Sequence, residues 1–178
     1  MHQKSPPNYL AGYPASLVAQ VHQLIAQDQL ADGLRRKYPQ THEVRTDKAL
    51  YDYVLNLKSA HLRNAGQLSK VAFDNKLHIR NALGTHTRIS RVQGSNFTTK
   101  REIRVAAMFK EMPPEFLRMI VVHELAHMKE QQHNKAFYLL CRHMEPEYAQ
   151  LEFDLRAYLT YLDAGGTGLW SGIETSGN

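Results

Sequence analysis

Two histidines and a glutamate stand close together in the second half of the chain, in the order His123-Glu124-x-x-His127. Residues four apart lie on one face of an α-helix, so both imidazoles can bind the same metal ion. Neutral imidazole is a good zinc ligand, and a neighbouring carboxylate can take a proton from water that zinc acidifies. The pattern predicts a metal site with His123 and His127 as ligands and Glu124 as general base.

The residues around this pattern favour a functional site over a chance match on a solvated helix. The residues before the first histidine are mostly apolar, which predicts a buried helix. Ionisable groups inside a buried helix are costly unless they are paired or coordinated. Leu117, Val121 and Leu125 fall on the side opposite the histidines, so one side packs while the other faces a site.

A third histidine, His133, follows His127 at the spacing of a longer zincin motif, in which a glycine lets the chain turn back. Glu130 occupies that glycine position, so we expect the turn to come from the following polar residues 131, 132 and 134. Glu130 also projects near the ligand face and is the rival third ligand. Three protein ligands leave a fourth position for water, which is typical of catalytic zinc.

Several stretches of the chain resemble the YgjP-like family of bacterial metal-dependent hydrolases, which is related to the SprT-type zincin proteases. The likeness covers residues 12–162 and rests on these segments: VVHELAH (121–127), HNKAF (133–137), GYP (12–14), TDKALY (46–51), RVQG (91–94) and HMEP (143–146). Wider relatives carry the residues RWGSC before the metal helix, whereas residues 90–95 read SRVQGS here.

The resemblance implies a zincin-like hydrolase, and we place a metallopeptidase-like activity first. An activity on nucleotides such as UTP is also linked to YgjP-type proteins, so a metal-dependent nucleotide pyrophosphatase is the second hypothesis. The third is a non-catalytic DNA- or metal-binding module, which the intact Glu124 disfavours. Three histidines favour zinc, with manganese or nickel as alternatives, over magnesium.

Basic residues are frequent in the predicted strands and suggest a phosphate- or carboxylate-binding surface beside the metal; a solvated sheet face is the alternative. The candidate substrate-binding residues are Arg88, Arg91 and Arg104, and His143 is a further candidate for stabilising developing negative charge. The formal net charge of +5 favours an anionic ligand and leaves nucleic acid binding open.

The predicted fold is α+β, with helices before and after a small, mainly antiparallel sheet. We expect a flexible arm over residues 1–10, one hydrolase domain over 11–163 and a flexible tail over 164–178. The predicted helices cover residues 14–29, 30–38, 47–64, 114–130, 134–143 and 146–162. The predicted strands cover residues 70–73, 76–79, 87–92 and 102–108.

The chain carries one cysteine, Cys141, which excludes an intrachain disulfide and fits a reducing compartment. The first residues are not followed by an apolar run, so they do not resemble a signal peptide. Apolar runs are too short to span a membrane. The sequence therefore predicts a cytoplasmic protein without a membrane partner.

Overall fold

A computed structural model describes residues 8–77 and 101–170. Within these ranges, six α-helices accompany a small two-stranded sheet, which confirms the predicted α+β class. None of the described helices is long and apolar enough to cross a membrane. The elements follow in this order: α1 (Ala15–Ala26), α2 (Leu30–Lys37), α3 (Asp47–His61), β1 (Leu68–Asp74), β2 (Arg101–Ala106), a short 3-10 helix (Ala107–Glu111), α4 (Pro114–Ala126), α5 (Lys135–Met144) and α6 (Tyr148–Asp163).

Three of the helices begin where the sequence indicated. The Thr46 hydroxyl accepts the backbone N–H of Ala49 at 3.1 Å, and the Asn134 side chain accepts that of Phe137 at 2.9 Å. Both are N-cap hydrogen bonds, which satisfy amides that the first helical turn leaves without a partner. Helix α4 begins at Pro114, a position where a missing N–H costs little.

The two strands of the sheet run parallel to each other. Val71 pairs with Ile103, and Phe73 pairs with Val105. The prediction of a mainly antiparallel sheet is therefore wrong for this pair. The turn signal that follows β1 marks where the strand ends but does not determine which strand pairs with it. Residues 75–100 are long enough for the crossover that parallel pairing requires.

Strand β2 is shorter than predicted. The strand predicted over residues 102–108 stops at Ala106, and Ala107–Glu111 turns into the 3-10 helix. Phe109 of this helix is fully buried, so the chain enters the core just before α4 begins. Of the other predicted strands, 87–92 lies outside the described residues. The strand predicted over 76–79 is described only at residues 76 and 77, and neither residue belongs to a strand.

Helix α4 lies at the centre of the described core, in contact with α3, α5, α6 and β2. From Phe116 to Ala126 its residues are buried, except for Arg118 and Glu124, which are partly buried. This burial confirms the helix that the apolar run predicted. The helix ends at Ala126 rather than near residue 130, because the chain there tightens into a turn. The histidine-bearing segment is thus held by packing on several sides.

Both ends of the described chain pack onto this core. Tyr9 and Leu10 are buried, and the Arg156 guanidinium donates to the Tyr9 carbonyl at 3.0 Å. Trp170 is also buried, and its indole N–H donates to the Tyr38 carbonyl at 2.8 Å. The segments expected to be a flexible arm and tail therefore include docked residues, while residues 1–7 and 171–178 lie outside the described ranges.

Candidate metal centre

Three histidine side chains converge just beyond the C-terminal end of α4. The Nε2 atom of His123 lies 3.2 Å from Nε2 of both His127 and His133, and the latter two atoms are 3.0 Å apart. Zinc–nitrogen bonds of about 2.0–2.1 Å in tetrahedral geometry place two ligand nitrogens roughly 3.3 Å apart. One metal ion can therefore bind all three nitrogens, and the residues fit the predicted site.

Helix α4 positions two of these histidines, as the sequence spacing predicted. His123 and His127 are one turn apart, with ring centroids 4.9 Å from each other. His123 is only 1% exposed, whereas His127 at the end of the helix is half-buried. Val121 and Leu125, on the opposite side, are fully buried. Packing of that side therefore fixes the direction in which the two imidazoles point.

The turn between α4 and α5 brings His133 back towards the helix. The N–H groups of Met128 and Lys129 bond to carbonyls three residues earlier, which tightens the chain after α4. Among the non-glycine residues that the structure describes, only Asp28 has a positive φ, so Glu130 adopts an ordinary backbone conformation. The turn therefore does not require the glycine that the longer zincin motif places at this position.

Glu130, the rival third ligand, contacts the cluster through its backbone. Its carbonyl oxygen lies 3.0 Å from Nδ1 of His127. Within the described residues, the side chains grouped closely enough to hold a metal are His123, His127 and His133. The structure thus brings together the three histidines that the sequence proposed and gives the glutamate a different contact.

Both helix histidines use their second ring nitrogen in a hydrogen bond. Nδ1 of His123 lies 2.8 Å from the hydroxyl of Tyr148, the first residue of α6, and Nδ1 of His127 faces the Glu130 carbonyl. A carbonyl only accepts, so Nδ1 of His127 carries the ring proton and Nε2 is free for a metal. Sequence analysis did not single out Tyr148.

Two acidic residues of α6, Glu152 and Asp154, contact other partners. Glu152 accepts from the Arg156 guanidinium at 3.1 Å. Asp154 accepts from the Lys37 ammonium and from the Tyr38 hydroxyl, each at 2.6 Å. No local sequence pattern marks a tyrosine as the partner of an imidazole 25 residues earlier. Only the packing of α6 against α4 brings the two together.

The ring of Phe137, on α5, packs against all three histidines of the cluster. Its centroid lies 4.9 Å from that of His123, 4.6 Å from that of His127 and 4.8 Å from that of His133. The ring is fully buried. It therefore shields one side of the cluster from water and limits how far the three imidazoles can tilt.

Burial sets the protonation of the site. It lowers the pKa of His123 well below its usual value, with a further contribution from the neighbouring His127 and His133, and it also lowers the pKa of His127. Both side chains are therefore neutral at pH 7, the form that binds metals. Burial raises the pKa of the Glu124 carboxyl to about 7, which suits a general base, and the positive charge of a metal opposes that shift.

The side chains predicted to bind substrate have other partners where the structure describes them. Arg104 forms ion pairs with Asp74 at 2.9 Å and with Glu102 at 3.4 Å. The His143 ring packs edge-to-face on His61, with centroids 5.9 Å apart. The two remaining candidates lie outside the described residues: Arg88 and Arg91.

Comparison with known proteins points to the same kind of chemistry. A family model described as YgjP-like, metallopeptidase domain, matches residues 85–158. The chain is also 58% identical over 158 residues to a protein of Escherichia coli (strain K12) named UTP pyrophosphatase, and the match covers 88% of this chain and 95% of the relative. No solved structure matches the chain at a comparable level of significance. With its histidine cluster, the chain is a metal-dependent hydrolase.

Proposed function

The chain belongs to the YgjP-like family, and we propose that it is a zinc-dependent nucleotide pyrophosphatase that hydrolyses UTP. The identity of 58% to the E. coli UTP pyrophosphatase carries this proposal, because it extends over 95% of that protein. The nucleotide hypothesis thereby moves ahead of the peptidase-type hydrolase that the sequence alone placed first. The histidine cluster and Glu124 supply the machinery that either hydrolysis needs.

Zinc is the proposed metal because the donor set consists of imidazole nitrogens. Imidazole suits zinc and nickel, whereas magnesium prefers oxygen ligands and keeps several waters. Manganese is the other alternative, since it combines readily with phosphate oxygens. With three protein ligands, a zinc ion keeps one position for water or substrate, as catalytic zinc does.

Each residue of the site has its own role in the proposed reaction. His123, His127 and His133 hold the metal, which when bound lowers the pKa of a water and polarises a phosphate oxygen. The Glu124 carboxylate takes a proton from the attacking water and then returns it to the leaving pyrophosphate. Attack at the α-phosphorus breaks the bond to the bridging oxygen, so UTP and water give UMP and pyrophosphate.

The phosphates of a nucleotide need positive charge beside the metal. Arg88 and Arg91 remain our proposed phosphate-binding residues. Arg104 contributes less, because two carboxylates already balance its charge. His143 is a further proposed contact, although in this structure its ring packs on another histidine. Added salt should weaken nucleotide binding if these arginines attract the phosphates.

A metallopeptidase is the second candidate, favoured by the description of the matching family model. Zincin peptidases hold an extended peptide by main-chain pairing to a strand near the metal. Strand β2, which leads through the 3-10 helix into α4, is the described strand that could serve in this way. Arginine substitutions would then change substrate affinity little.

One assay separates the two candidates. Zinc-loaded and manganese-loaded protein is given UTP, within a panel of nucleoside triphosphates, and separately an unfolded protein. We expect pyrophosphate release from UTP that falls by about 10²–10⁴-fold in Glu124→Gln, the usual contribution of a general base. Glu130→Gln is the matched control, because it makes the same change at a carboxylate outside the histidine cluster.

The metal content of both variants is measured alongside the activity. Equal metal in Glu124→Gln and the wild type means that the loss of turnover reflects the general base alone. Cleavage of the unfolded protein that disappears in Glu124→Gln, without pyrophosphate release from UTP, selects the peptidase instead. Turnover of UTP at the wild-type rate in Glu124→Gln contradicts the assigned role of this carboxylate.

A further inference from the structure

A buried row of polar side chains leads from the metal cluster into the core. The Tyr148 hydroxyl lies 2.8 Å from Nδ1 of His123, and the Cys141 thiol lies close enough to interact with this hydroxyl. None of the three residues is more than 1% exposed. Because water does not reach these atoms, each polar group depends on the others for its hydrogen bonds, and a missing partner carries the full desolvation penalty.

The direction of these hydrogen bonds follows from the metal site. Nε2 of His123 must be unprotonated to bind a metal, so Nδ1 carries the ring proton and donates it to the Tyr148 oxygen. Tyr148 must then donate its own proton elsewhere, and the nearby Cys141 sulfur can accept it. If Tyr148 donated to Nδ1 instead, the ring proton would sit on Nε2 and block metal binding.

Neither of the two partners brings a charge into this buried region. A phenol has a pKa of about 10 and a thiol one of about 8.5 even in water, so at neutral pH the phenol retains its proton and the sulfur remains a thiol. A neutral row suits a site that water does not enter.

We propose that Tyr148 is a positioning residue for the metal site, which fixes the tautomer and ring orientation of His123 and is itself anchored by Cys141. It acts through His123 and does not touch the metal or the substrate. Partners of a ligand imidazole typically change metal affinity by about 10–100-fold. This inference rests on the metal site of the proposed function and not on the identity of the substrate.

Tyr148 also fills space in the core, so the test must separate its hydroxyl from its ring. Tyr148→Phe keeps the ring and removes the atom that faces His123. Tyr158→Phe is the matched control, because Tyr158 lies on the same helix, is 4% exposed and uses its hydroxyl to accept the Leu169 N–H at 3.4 Å. Both variants lose one buried hydroxyl, but only one of the two hydroxyls faces a ligand imidazole.

The measurement is a competition titration with zinc alone, in which a chromophoric chelator competes with the metal-free protein. We expect Tyr148→Phe to raise the zinc dissociation constant about 10–100-fold, and Tyr158→Phe to leave it unchanged. The visible spectrum of the cobalt(II) protein gives a second readout, because a tilted His123 ring alters the ligand field. Thermal unfolding of the metal-free variants reports any general loss of packing.

Equal zinc affinity in Tyr148→Phe and Tyr158→Phe overturns the inference. If Tyr148→Phe does not fold, Cys141→Ala takes its place, since it removes the anchor and keeps the hydroxyl. Zinc affinity must then be lower in Cys141→Ala than in Tyr158→Phe, and equal affinity contradicts the proposed anchor. If the wild-type protein does not bind zinc, the metal assigned in the proposed function is wrong. This outcome differs from equal zinc affinity in the two tyrosine variants, which contradicts only the role of Tyr148.

Discussion

The three histidines of the metal cluster come from two regions that differ in burial. His123 lies in α4, which packs on other elements along most of its length, and His127 directly follows the last residue of this helix. His133 lies in the turn between α4 and α5, where residues 131–136 are all exposed. His123 and His127, which we call the helix part of the cluster, are thus packed against the core. His133, the turn part, lies at the surface.

This difference in burial predicts that substitutions in the two regions have different effects on stability and on metal affinity. Folding fixes the helix part, because burial of α4 determines where its imidazoles point with or without a metal. Exposed segments with few buried contacts open at lower free energy than the core, so the order of the turn part should depend more on bound metal. Substitutions in the helix should cost stability and metal affinity, whereas substitutions in the turn should cost metal affinity alone.

The largest expected effect is that of His123→Ala. A four-ligand zinc site contributes about 10–16 kcal/mol, or roughly 2.5–4 kcal/mol for each ligand, so zinc affinity should fall about a hundredfold or more. The substitution also leaves the Tyr148 hydroxyl without its partner, which costs about 1–3 kcal/mol of folding free energy. Zinc titration and chemical denaturation of the metal-free protein measure the two losses.

The control for this substitution is His22→Ala, at an exposed histidine of α1. It should keep both the zinc affinity and the stability of the wild type. The prediction fails if metal-free His123→Ala and the metal-free wild type unfold at the same denaturant concentration. In that case His123 would contribute no more to folding stability than the exposed turn does.

The second prediction concerns the turn, through His133→Ala. Removing this ligand should weaken zinc binding by roughly two orders of magnitude, yet leave the melting temperature of the metal-free protein unchanged, because the side chain is exposed. His22→Ala, at the exposed histidine of α1, is again the control and should change neither quantity. A marked fall in the melting temperature of metal-free His133→Ala would remove the contrast between the two regions.

The two histidines of the helix part, His123 and His127, could be predicted from the sequence because their spacing is a local pattern. Two histidines one turn apart on an apolar helix need no knowledge of the rest of the fold. The N-caps at Thr46 and Asn134 are also local, since the side chain bonds to an amide three residues away. His133 was accessible by spacing alone, and the structure brings it within 3.2 Å of the other two ligand nitrogens.

What the sequence did not reveal depends on contacts between distant segments. Strand direction is one case, because β1 and β2 pair across residues 75–100 and the turn after β1 contains no information about that pairing. Tyr148 is another, because its partner imidazole lies 25 residues earlier on a different helix. The buried positions of Tyr9 and Trp170 likewise follow from the assembled core and not from the polar segments beside them.

The third prediction tests how the N-terminal end of α4 is held. His42 is buried; its Nε2 lies 2.6 Å from the Phe109 carbonyl, and its Nδ1 accepts the Val44 N–H at 3.0 Å. Burial lowers the pKa of His42, with the Phe109 carbonyl and the nearby Glu43 opposing that shift and Arg45 adding to it. Only the neutral ring can make both bonds, so protonation costs about 1–3 kcal/mol.

Because the folded pKa of His42 is lowered, this contribution is complete above its unfolded pKa of about 6.5 and is lost as the pH falls through the folded pKa. Metal-free wild type should therefore lose more stability between pH 8 and pH 5 than His42→Gln, which cannot titrate there. The ligand histidines titrate in both proteins, so their effect cancels in the difference. Parallel stability curves for the two proteins would contradict this role for His42.

The smallest expected effect is that of Glu130→Ala. The residue contacts His127 through its backbone carbonyl, which alanine retains, and its carboxylate does not join the histidine cluster. Its φ is not in the left-handed region, so alanine fits the turn without strain. Zinc affinity should therefore change less than about tenfold, the lower limit for partners of a ligand imidazole. Lys129→Ala, at the exposed neighbouring residue, is the control. If Glu130→Ala weakened zinc binding more than His133→Ala, the Glu130 carboxylate would be the third ligand. The assignment of His133 as that ligand would then be wrong.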